Sequence, residues 1–202
     1  MRIIFATGNQ SKMIEIRGIM AHLGMEILSM KDAGIKVDIE ENGSSFEENA
    51  KIKTRALGVM PDTIVMADDS GLSVDALNGE PGIYSARYLG PDATPEQMNQ
   101  SIIDRLRGVT TEKRGAAFIC AISILFPDGT EAVTFGEMRG RIAEKPAGCG
   151  GFGYDPILYL PEYGKTVAEL PEEEKNRISH RGKALKNAEK CIREWMEKHP
   201  VS

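Results

Sequence analysis

The sequence predicts an α/β fold built on a mixed sheet. The chain opens with a short apolar run, a polar loop and a helical pattern, which is the order of a strand followed by a helix. Two long strand-like runs, 116–126 and 131–142, flank Pro127-Asp128-Gly129-Thr130, which is typical of a hairpin turn. The carboxyl end has helical patterns again. Strands interspersed with helices, together with a central hairpin, favour a mixed sheet.

The first predicted element is a buried strand over residues 2–6, followed by a polar loop over 7–11. A helix comes next, and Gly24 is suited to end it. The apolar residues that recur at helical spacing in this segment are Met13, Ile16, Ile19, Met20 and Leu23.

The middle of the chain predicts two further strands around a helix. Residues 35–39 alternate apolar and polar side chains, which predicts a strand that ends at Glu40-Glu41. Ser45 and Glu48 have capping-box spacing and start a helix that runs to about Leu57. Residues 63–67 predict a short strand that ends at Asp68-Asp69-Ser70-Gly71.

The second half begins with a stretch rich in glycine and proline, 72–90, which predicts loops. A helix is predicted from Thr94 to Gly108, before the hairpin. After the hairpin come a glycine-rich loop at 148–153, a short helical turn near 171–176 and a helix over 183–198.

Length and charge limit the function classes. The 202 residues suit one domain or one domain with two lobes, so we expect residues 1–202 to form a single two-lobed domain. A formal net charge of −5 argues against broad binding to nucleic acid or to an anionic membrane, which needs a basic surface. A small anionic ligand held by a few local cations remains compatible with this charge.

Cysteine usage and hydropathy bear on location. Cys120, Cys149 and Cys191 are odd in number and widely spaced, so they predict neither a disulfide framework nor a zinc site. The opening MRIIFATGN is too short an apolar run for a signal peptide, and no apolar stretch approaches the roughly 18 residues of a membrane span. We therefore expect a cytoplasmic protein.

The loop between the first strand and first helix is the first candidate for chemistry. It contains Thr7, Gly8, Asn9 and Lys12. Backbone N–H groups at a helix N-terminus favour an anion, and Lys12 in the first turn can reach a phosphate. The segment lacks the GxxxxGKS/T pattern of a P-loop. An ordinary strand–helix connection with a solvated lysine is the alternative interpretation.

Two acidic pairs, Glu40-Glu41 and Asp68-Asp69, each follow a predicted strand. If those strands are neighbours the carboxylates converge, and such oxygen ligands suit Mg²⁺ together with phosphate oxygens of a substrate. A carboxylate beside the metal can also deprotonate water. For Glu40-Glu41 alone a solvated turn is the alternative, whereas an Asp-Asp-Ser-Gly run after a buried strand is typical of active-site loops.

The remaining candidates lie on helices and on the glycine-rich loop. Lys53 serves a phosphate site only if it points back toward that site, and a solvated helix face is the alternative. In the glycine-rich loop Phe152 can stack on a base and Asp155 can contact a polar base edge. Near the last helix, His180 and Arg181 are donors suited to carbonyl oxygens.

Taken in order, these motifs closely resemble the inosine-triphosphate pyrophosphatase family, the bacterial XTP/dITP diphosphatases. The resemblance runs from Phe5 to Leu185 and covers nearly the whole chain. The matching segments are FATGNQSK, EENGSSFEENAKIK, MADDSGLSVDAL, GEPGIYSARY, GGFGYDPI, GKTVAEL and EEKNRISHRGKAL. Asn42 departs from the threonine expected before Gly43, Cys149 stands where a threonine or similar small residue is usual, and neither is a proposed ligand.

The resemblance implies Mg²⁺-dependent hydrolysis of ITP, dITP and XTP to the monophosphate and pyrophosphate. It implies that Asp69 and either Glu40 or its neighbour Glu41 hold the metal, and that Asp69 is also the general base. Asp68 would support these residues. The substrate-binding residues it implies are Thr7, Gly8, Asn9, Lys12 and Lys53 for the triphosphate, Ser70, and Phe152, Gly153, Tyr154, Asp155, Lys175, His180 and Arg181 for the base. It also implies an elongated mixed sheet flanked by helices, two lobes with an active-site cleft between them, and a homodimer.

Two other functions stay open from the sequence. A related pyrophosphatase of the septum-inhibitor type would act on dTTP, UTP or modified pyrimidines. A non-catalytic nucleotide-binding module would need no base beside the metal, so the four carboxylates argue against it. Donors that bond the 6-oxo group of hypoxanthine would face the 6-amino group of adenine, which explains rejection of ATP. No residue accounts for rejection of GTP.

Overall fold

The computed structural model describes residues 1–199, which contain seven strands and five α-helices. The strands are β1 (Arg2–Phe5), β2 (Glu26–Ser29), β3 (Thr63–Val74), β4 (Gly115–Leu125), β5 (Glu131–Ile142), β6 (Leu158–Leu160) and β7 (Lys165–Thr166). The helices are α1 (Gln10–Met20), α2 (Phe46–Leu57), α3 (Pro95–Arg105), α4 (Glu172–Ile178) and α5 (His180–Lys198). Within this described range no helix is long and apolar enough to cross a membrane.

The seven strands form one sheet in the order β2-β1-β3-β4-β5-β6-β7. Strand β1 is parallel to both β2 and β3, and Ile4 lies level with Leu28 and Val65. Strand β6 is antiparallel to β5 and to β7. Parallel neighbours require a crossover connection, and α1 and α2 lie in the segments that join β1, β2 and β3 along the chain. The predicted mixed α/β sheet is confirmed.

The predicted hairpin is also confirmed, and its turn chemistry explains it. The Phe126 N–H donates to the Thr130 carbonyl at 2.9 Å, which closes the turn between β4 and β5. The Asp128 carboxylate accepts from the backbone N–H and the hydroxyl of Thr130. Gly129 takes a positive φ of 84°, which a residue with a side chain rarely adopts.

The described chain divides into two compact units, each with its own core. The first unit comprises residues 1–69, 120–136 and the segment from His180 onward, and the second comprises 70–119 and 137–179. Fully buried apolar residues of the first core include Ile3, Ile16, Met66, Ile122 and Ala188. Those of the second include Leu72, Ile102, Ala116, Ile157 and Leu158. Each large aliphatic side chain buried in this way contributes about 1.5–3 kcal/mol.

The strand predicted over residues 35–39 is wrong. The strand beside β1 is Glu26–Ser29 instead, and residues 35–39 have no regular secondary structure. Alternation of apolar and polar side chains indicates a half-buried segment, but it does not supply a hydrogen-bonded neighbour, and Val37 is 41% exposed. Glu40-Glu41 therefore belong to a loop that approaches α2 and do not mark the end of a strand.

Two boundaries differ from prediction in ways that affect the site. Strand β3 was expected to end at Ala67, but it continues through Asp68 and Asp69 to Val74. Gly71 lies inside this strand and does not make a turn. A Cβ there would collide with the Gly82 carbonyl, so glycine allows the backbone of Gly82 to approach the strand closely. Helix α5 begins at His180, three residues before the predicted start, because Ser179 ends α4 in extended geometry.

Candidate active site

Strand β3 presents Asp68 and Asp69 to different surroundings. Successive side chains of a strand point to opposite faces of the sheet, so adjacent aspartates in a strand cannot share one environment. The Asp68 carboxylate meets Lys12 and Arg181, whereas the Asp69 carboxylate meets Asn49 and Lys53. We call these residues, with Glu15 and Glu41, the charged cluster. All of its members belong to the first unit.

Asp68 is enclosed by cations. Its Oδ2 lies 3.0 Å from Lys12 Nζ and 3.2 Å from Arg181 Nη2. Burial alone would raise the pKa of Asp68, but Lys12, Arg181 and Lys53 overcome it, so the pKa of Asp68 lies well below its usual range. This carboxylate is permanently ionised and acts as a fixed anion.

Arg181 links Asp68 to helix α1. Its guanidinium bonds the Asp68 carboxylate through Nε and Nη2 and bonds Glu15 through Nη1, and its side chain is 1% exposed. Burial would lower the pKa of Arg181, yet Asp68 and Glu15 among its neighbours keep it raised, so it stays charged. The arginine therefore ties the start of α5 to β3 and α1.

The surroundings of Asp69 shift its pKa in the opposite direction to that of Asp68. Its Oδ2 accepts a hydrogen bond from Asn49 Nδ2 at 3.0 Å, and its Oδ1 lies 3.6 Å from Lys53 Nζ. Burial raises the pKa of Asp69, the nearby Glu41 adds to this, and Lys53 and Asn49 only partly oppose it. A carboxylate whose pKa is raised accepts a proton more readily than Asp68 does, which suits a general base.

The carboxylate that joins Asp69 is Glu41, whereas Glu40 is exposed. Glu41 Oε2 lies 3.0 Å from Lys53 Nζ, so Glu41 and Asp69 share one lysine. Within residues 1–199 no group of three or more histidine, cysteine, aspartate or glutamate side chains is placed to hold a metal. The half-buried Glu41 and the buried Asp69 nevertheless offer carboxylate oxygens, which suit a divalent metal that takes its other ligands from phosphate and water, as Mg²⁺ commonly does.

The loop before α1 is shaped as the sequence predicts. Asn9 caps the helix by accepting a hydrogen bond from the Lys12 N–H at 3.1 Å, and the Asn9 N–H donates to Thr7 Oγ1 at 3.2 Å. Gly8 is exposed and has open space where a Cβ would lie. The exposed N-terminus of α1 favours an anion such as phosphate, and Lys12 lies in its first turn with its ammonium paired to Asp68.

In the second unit, residues 148–155 form what we call the glycine–aromatic loop, and Asp155 organises it. Asp155 Oδ2 accepts the Phe152 N–H at 2.7 Å and pairs with Lys175 Nζ at 2.7 Å. The same ammonium lies 4.8 Å from the centroid of the Phe152 ring. Gly151 has a φ of +70°, and a Cβ there would collide with the Asp155 carboxylate. Asp155 therefore holds the loop, and the half-buried Phe152 ring rests on Lys175.

The tip of this loop is fixed from behind. Tyr154 is buried and donates its hydroxyl to the Ser85 carbonyl at 2.9 Å. Asn99, on α3, donates through Nδ2 to the Gly153 carbonyl at 3.1 Å. Gly153 has a φ of +62°, so its backbone takes a conformation that depends on glycine. The remaining predicted site residue of this unit, Ser70, is half-buried on β3.

His180 lies in the first turn of α5 and is 6% exposed. Gly136 on β5 sets its position, because a Cβ at Gly136 would collide with the His180 carbonyl. Thr134 Oγ1 donates to the Ala184 carbonyl at 2.9 Å and fixes the next turn of the helix. The start of α5 is thereby packed directly against strand backbone.

Sequence reasoning missed three residues that complete these contacts: Glu15, Asn49 and Asn99. Each is a polar side chain that is at most 6% exposed. Asn49 had a usable signal, since it lies four positions before Lys53 and thus on the same helix face. Glu15 is a carboxylate between Met13 and Ile16 on the buried side of α1, and its pairing with Arg181 across 166 residues has no local signal.

Comparison with known proteins shows the family to which the chain is similar. The profile described as the Ham1 family matches residues 3–191. A protein of Thermoanaerobacter sp. (strain X514) named dITP/XTP pyrophosphatase is 47% identical over 197 residues, which are 98% of this chain and 99% of the relative. A protein of the same name from Yersinia pestis is 46% identical over 187 residues, 92% and 94% of the two chains. The solved structure of a HAM1 protein from Coxiella burnetii superposes with a TM-score of 0.85 at 38% identity, covering 96% of this chain and 99% of that one.

Proposed function

The chain belongs to the Ham1 family, and from that premise we propose that it hydrolyses the non-standard purine nucleotides ITP, dITP and XTP to the monophosphate and pyrophosphate. Relatives that are 43–47% identical over 98% of this chain are named dITP/XTP pyrophosphatase. This activity would clear faulty purines from the nucleotide pool, which is consistent with a cytoplasmic enzyme.

The observation that carries the proposal is the contrast between the two adjacent aspartates. Asp68 is a fixed anion among Lys12 and Arg181, whereas Asp69 has a raised pKa and lies near a second carboxylate, Glu41. A site that only binds a triphosphate gains nothing from such a pair, because phosphate is repelled by carboxylates. A hydrolase needs both, one group to organise cations and one to accept a proton.

We assign the phosphate-binding role to residues with N–H or ammonium groups in the first unit. The loop of Thr7, Gly8 and Asn9 offers the N-terminus of α1, and Lys12 and Lys53 offer charge to the triphosphate. Glu41 and Asp69, with Glu40 as the alternative carboxylate, would hold Mg²⁺. The chemistry that Mg²⁺ supplies when bound is neutralisation of charge on the phosphate oxygens.

Asp69 acts as the general base in this proposal. It accepts a proton from water as the water oxygen forms a bond to the α-phosphorus, and the bond from that phosphorus to the bridging oxygen of the β-phosphate breaks. Pyrophosphate leaves with the electron pair of that bond. The two lysines offset the charge that develops on the leaving oxygens, so most of the rate enhancement is electrostatic and positional.

Base recognition is assigned to the glycine–aromatic loop and to donors near it in sequence. Phe152 would stack on the purine, the backbone of Gly153 and Tyr154 would shape its contact, and Lys175 and His180 would donate to the 6-oxo group. Asp155 would act through Lys175 and Phe152, since its carboxylate already bonds both. Arg181, bonded to Glu15 and Asp68, would support this recognition by fixing the start of α5.

The test is pyrophosphate release from ITP, XTP, dITP, GTP, ATP and dTTP, each with and without Mg²⁺. We expect release from the first three, dependence on the metal, and little release from GTP or ATP. A preference for dTTP would instead assign the chain to pyrimidine nucleotides. No pyrophosphate from any nucleotide would leave only a binding role.

We also propose that the chain acts as a homodimer and that its two compact units form a single functional domain. A dimer would elute in light-scattering chromatography at twice the 22.1 kDa of the chain. Equal unfolding temperatures from probes placed in each unit would support one cooperative domain, and two separate transitions would contradict it.

A further inference from the structure

Lys53 fills the space between the carboxylates to which we assign the metal. Its ammonium lies 3.0 Å from Glu41 Oε2 and 3.6 Å from Asp69 Oδ1, and it donates to the Asp68 carbonyl at 2.9 Å. The Lys53 side chain is only 9% exposed. An ammonium has three donors, and here each has a protein oxygen beside it. Three oxygens around one buried cation are also the kind of donor set that a divalent metal takes.

A metal held by both carboxylates would compete with this ammonium. Mg²⁺ binds oxygen at about 2.0–2.1 Å, so an ion bonded to these same two oxygens would lie within roughly 5 Å of the observed position of Lys53 Nζ. At that separation a unit charge and a double charge repel each other by several times the thermal energy, even with the screening typical of a protein surface. The two cations therefore cannot both be held favourably.

We propose that Lys53 is an internal cation that occupies the carboxylate pair in the nucleotide-free protein and keeps its affinity for divalent metal low. A triphosphate would give the displaced ammonium a new anionic partner, so metal and triphosphate would bind cooperatively. This proposal rests on the function proposed above, because it assumes that Glu41 and Asp69 hold the metal.

The other cations near this site do not lie between Glu41 and Asp69. Lys12 and Arg181 pair with Asp68, which the pleat of β3 directs to the other face of the sheet from Asp69. Lys51 lies on α2, two residues from Lys53, but pairs with Glu47 one turn earlier. Lys51 is therefore a matched control: a lysine of the same helix whose charge lies outside the cluster.

The experiment is calorimetric titration of Mn²⁺ into the nucleotide-free full-length protein. Lys53→Met should bind Mn²⁺ more tightly than the wild type, by a factor between about 5 and about 150, which is the range usual for coupled sites. Lys53→Arg keeps the charge and should bind as weakly as the wild type, and Lys51→Met should also match the wild type. Unchanged or weaker binding by a folded Lys53→Met would overturn the proposal.

A second measurement uses the wild type and does not depend on whether a variant folds. In lysine-selective ¹⁵N spectra, the Nζ resonance of Lys53 should shift on addition of Mg²⁺ as its carboxylate partners are lost, and that of Lys51 should not. An Nζ resonance of Lys53 that stays fixed while metal binds would contradict displacement. Neither measurement involves turnover, so a failure of this proposal can be told apart from a failure of the proposed hydrolysis.

Discussion

The charged cluster of the first unit and the glycine–aromatic loop of the second differ in how the chain assembles them. Arg181 meets Asp68 across 113 residues and Glu15 across 166. In the loop, Asp155 bonds Phe152 three residues away and Lys175 twenty residues away. The cluster therefore exists only once the sheet and helices of its unit are in place. The loop combines short-range bonds to Asp155 with long-range support at its tip from Ser85 and Asn99.

The two regions also differ in charge balance. In the loop one buried carboxylate faces one buried ammonium, Asp155 with Lys175. In the cluster Glu41 and Asp69 share Lys53, so their side of β3 carries more negative than positive charge. A balanced pair favours a fixed structure, while an imbalance leaves a site that gains from a proton or from a cation of higher charge that replaces the lysine. The difference is consistent with the proposed roles, in which the loop positions the substrate and the cluster takes part in the reaction.

The largest expected effect comes from Asp69→Asn. Loss of the proposed general base should lower kcat for dITP by about 10²- to 10⁴-fold, while KM changes less. The folded-state pKa of Asp69 is raised, so its contribution to stability is present at low pH and lost as the pH rises through that value. The variant should therefore melt at the same or a higher temperature than the wild type near pH 7. Steady-state kinetics and thermal denaturation check this.

Asp68→Asn, in contrast to Asp69→Asn, should lower the stability of the protein. It leaves Arg181 and Lys12 without their buried anion, and breaking a buried pair costs about 3–5 kcal/mol of stability. Urea unfolding at pH 7 measures this cost. If Asp68→Asn were as stable as the wild type, the cluster would not be organised by that carboxylate.

The pH dependence of wild-type stability tests whether the pKa of Asp68 is lowered. The folded-state pKa of Asp68 is lowered, so its stabilising contribution is present above the unfolded value of about 3.9 and is lost as the pH falls toward the folded value. Between about pH 5 and pH 3 the wild type should lose more stability than Asp68→Asn does. Parallel curves for the two proteins would contradict the lowered pKa.

These differences explain what the sequence could and could not predict. Helix α1, helix α3 and the hairpin were predictable because caps, apolar spacing and turn residues are local signals. Strand β3 was predicted too short because Asp-Asp-Ser-Gly has the composition of a turn, although these residues continue the strand beyond its pairing with β1, which ends at Met66. The short edge strand β2 has too few residues for a periodic pattern.

The same reasoning applies to the candidate site. The contacts of Asp155 with Phe152 and Gly151 lie within four positions along the chain and so have a local signal, whereas its pairing with Lys175, twenty residues away, has none. The choice between Glu40 and Glu41 was not, since it depends on which carboxylate reaches Lys53 from a loop without regular structure. The pairing of Arg181 with Glu15 depends on the packing of α5 against α1 and has no counterpart in local spacing.

Lys175→Met sharpens the comparison from the side of the loop. Removing the ammonium leaves Asp155 without its cation and removes the charge beside the Phe152 ring, so the ring should be held less firmly. We expect KM for dITP to rise about tenfold while kcat changes little, the pattern for a lost uniform binding contribution. Lys165→Met, at an exposed position on β7, is the matched control and should behave as the wild type. A fall in kcat with unchanged KM would place Lys175 with the reactive residues instead.

The smallest expected effect is at Asn99, where two substitutions should differ in how much they damage the protein. Asn99 Nδ2 donates to the Gly153 carbonyl, while its Oδ1 is buried and accepts no hydrogen bond within residues 1–199. Asn99→Ala loses one bond worth about 0.5–1.5 kcal/mol but also removes a buried acceptor that lacks a donor, so the two terms partly cancel. Asn99→Asp keeps the shape yet sets a carboxylate oxygen against the Gly153 carbonyl.

The isosteric Asn99→Asp should therefore raise KM and lower the melting temperature more than the truncation Asn99→Ala does. Gln100→Ala, on the exposed side of α3, should change neither quantity. The kinetics of these three variants on dITP, with their melting temperatures, decide the matter. If Asn99→Ala proved the more damaging of the two, the amide would be holding Gly153 through more than this one donor, and the loop would depend on α3 as strongly as the cluster depends on α5.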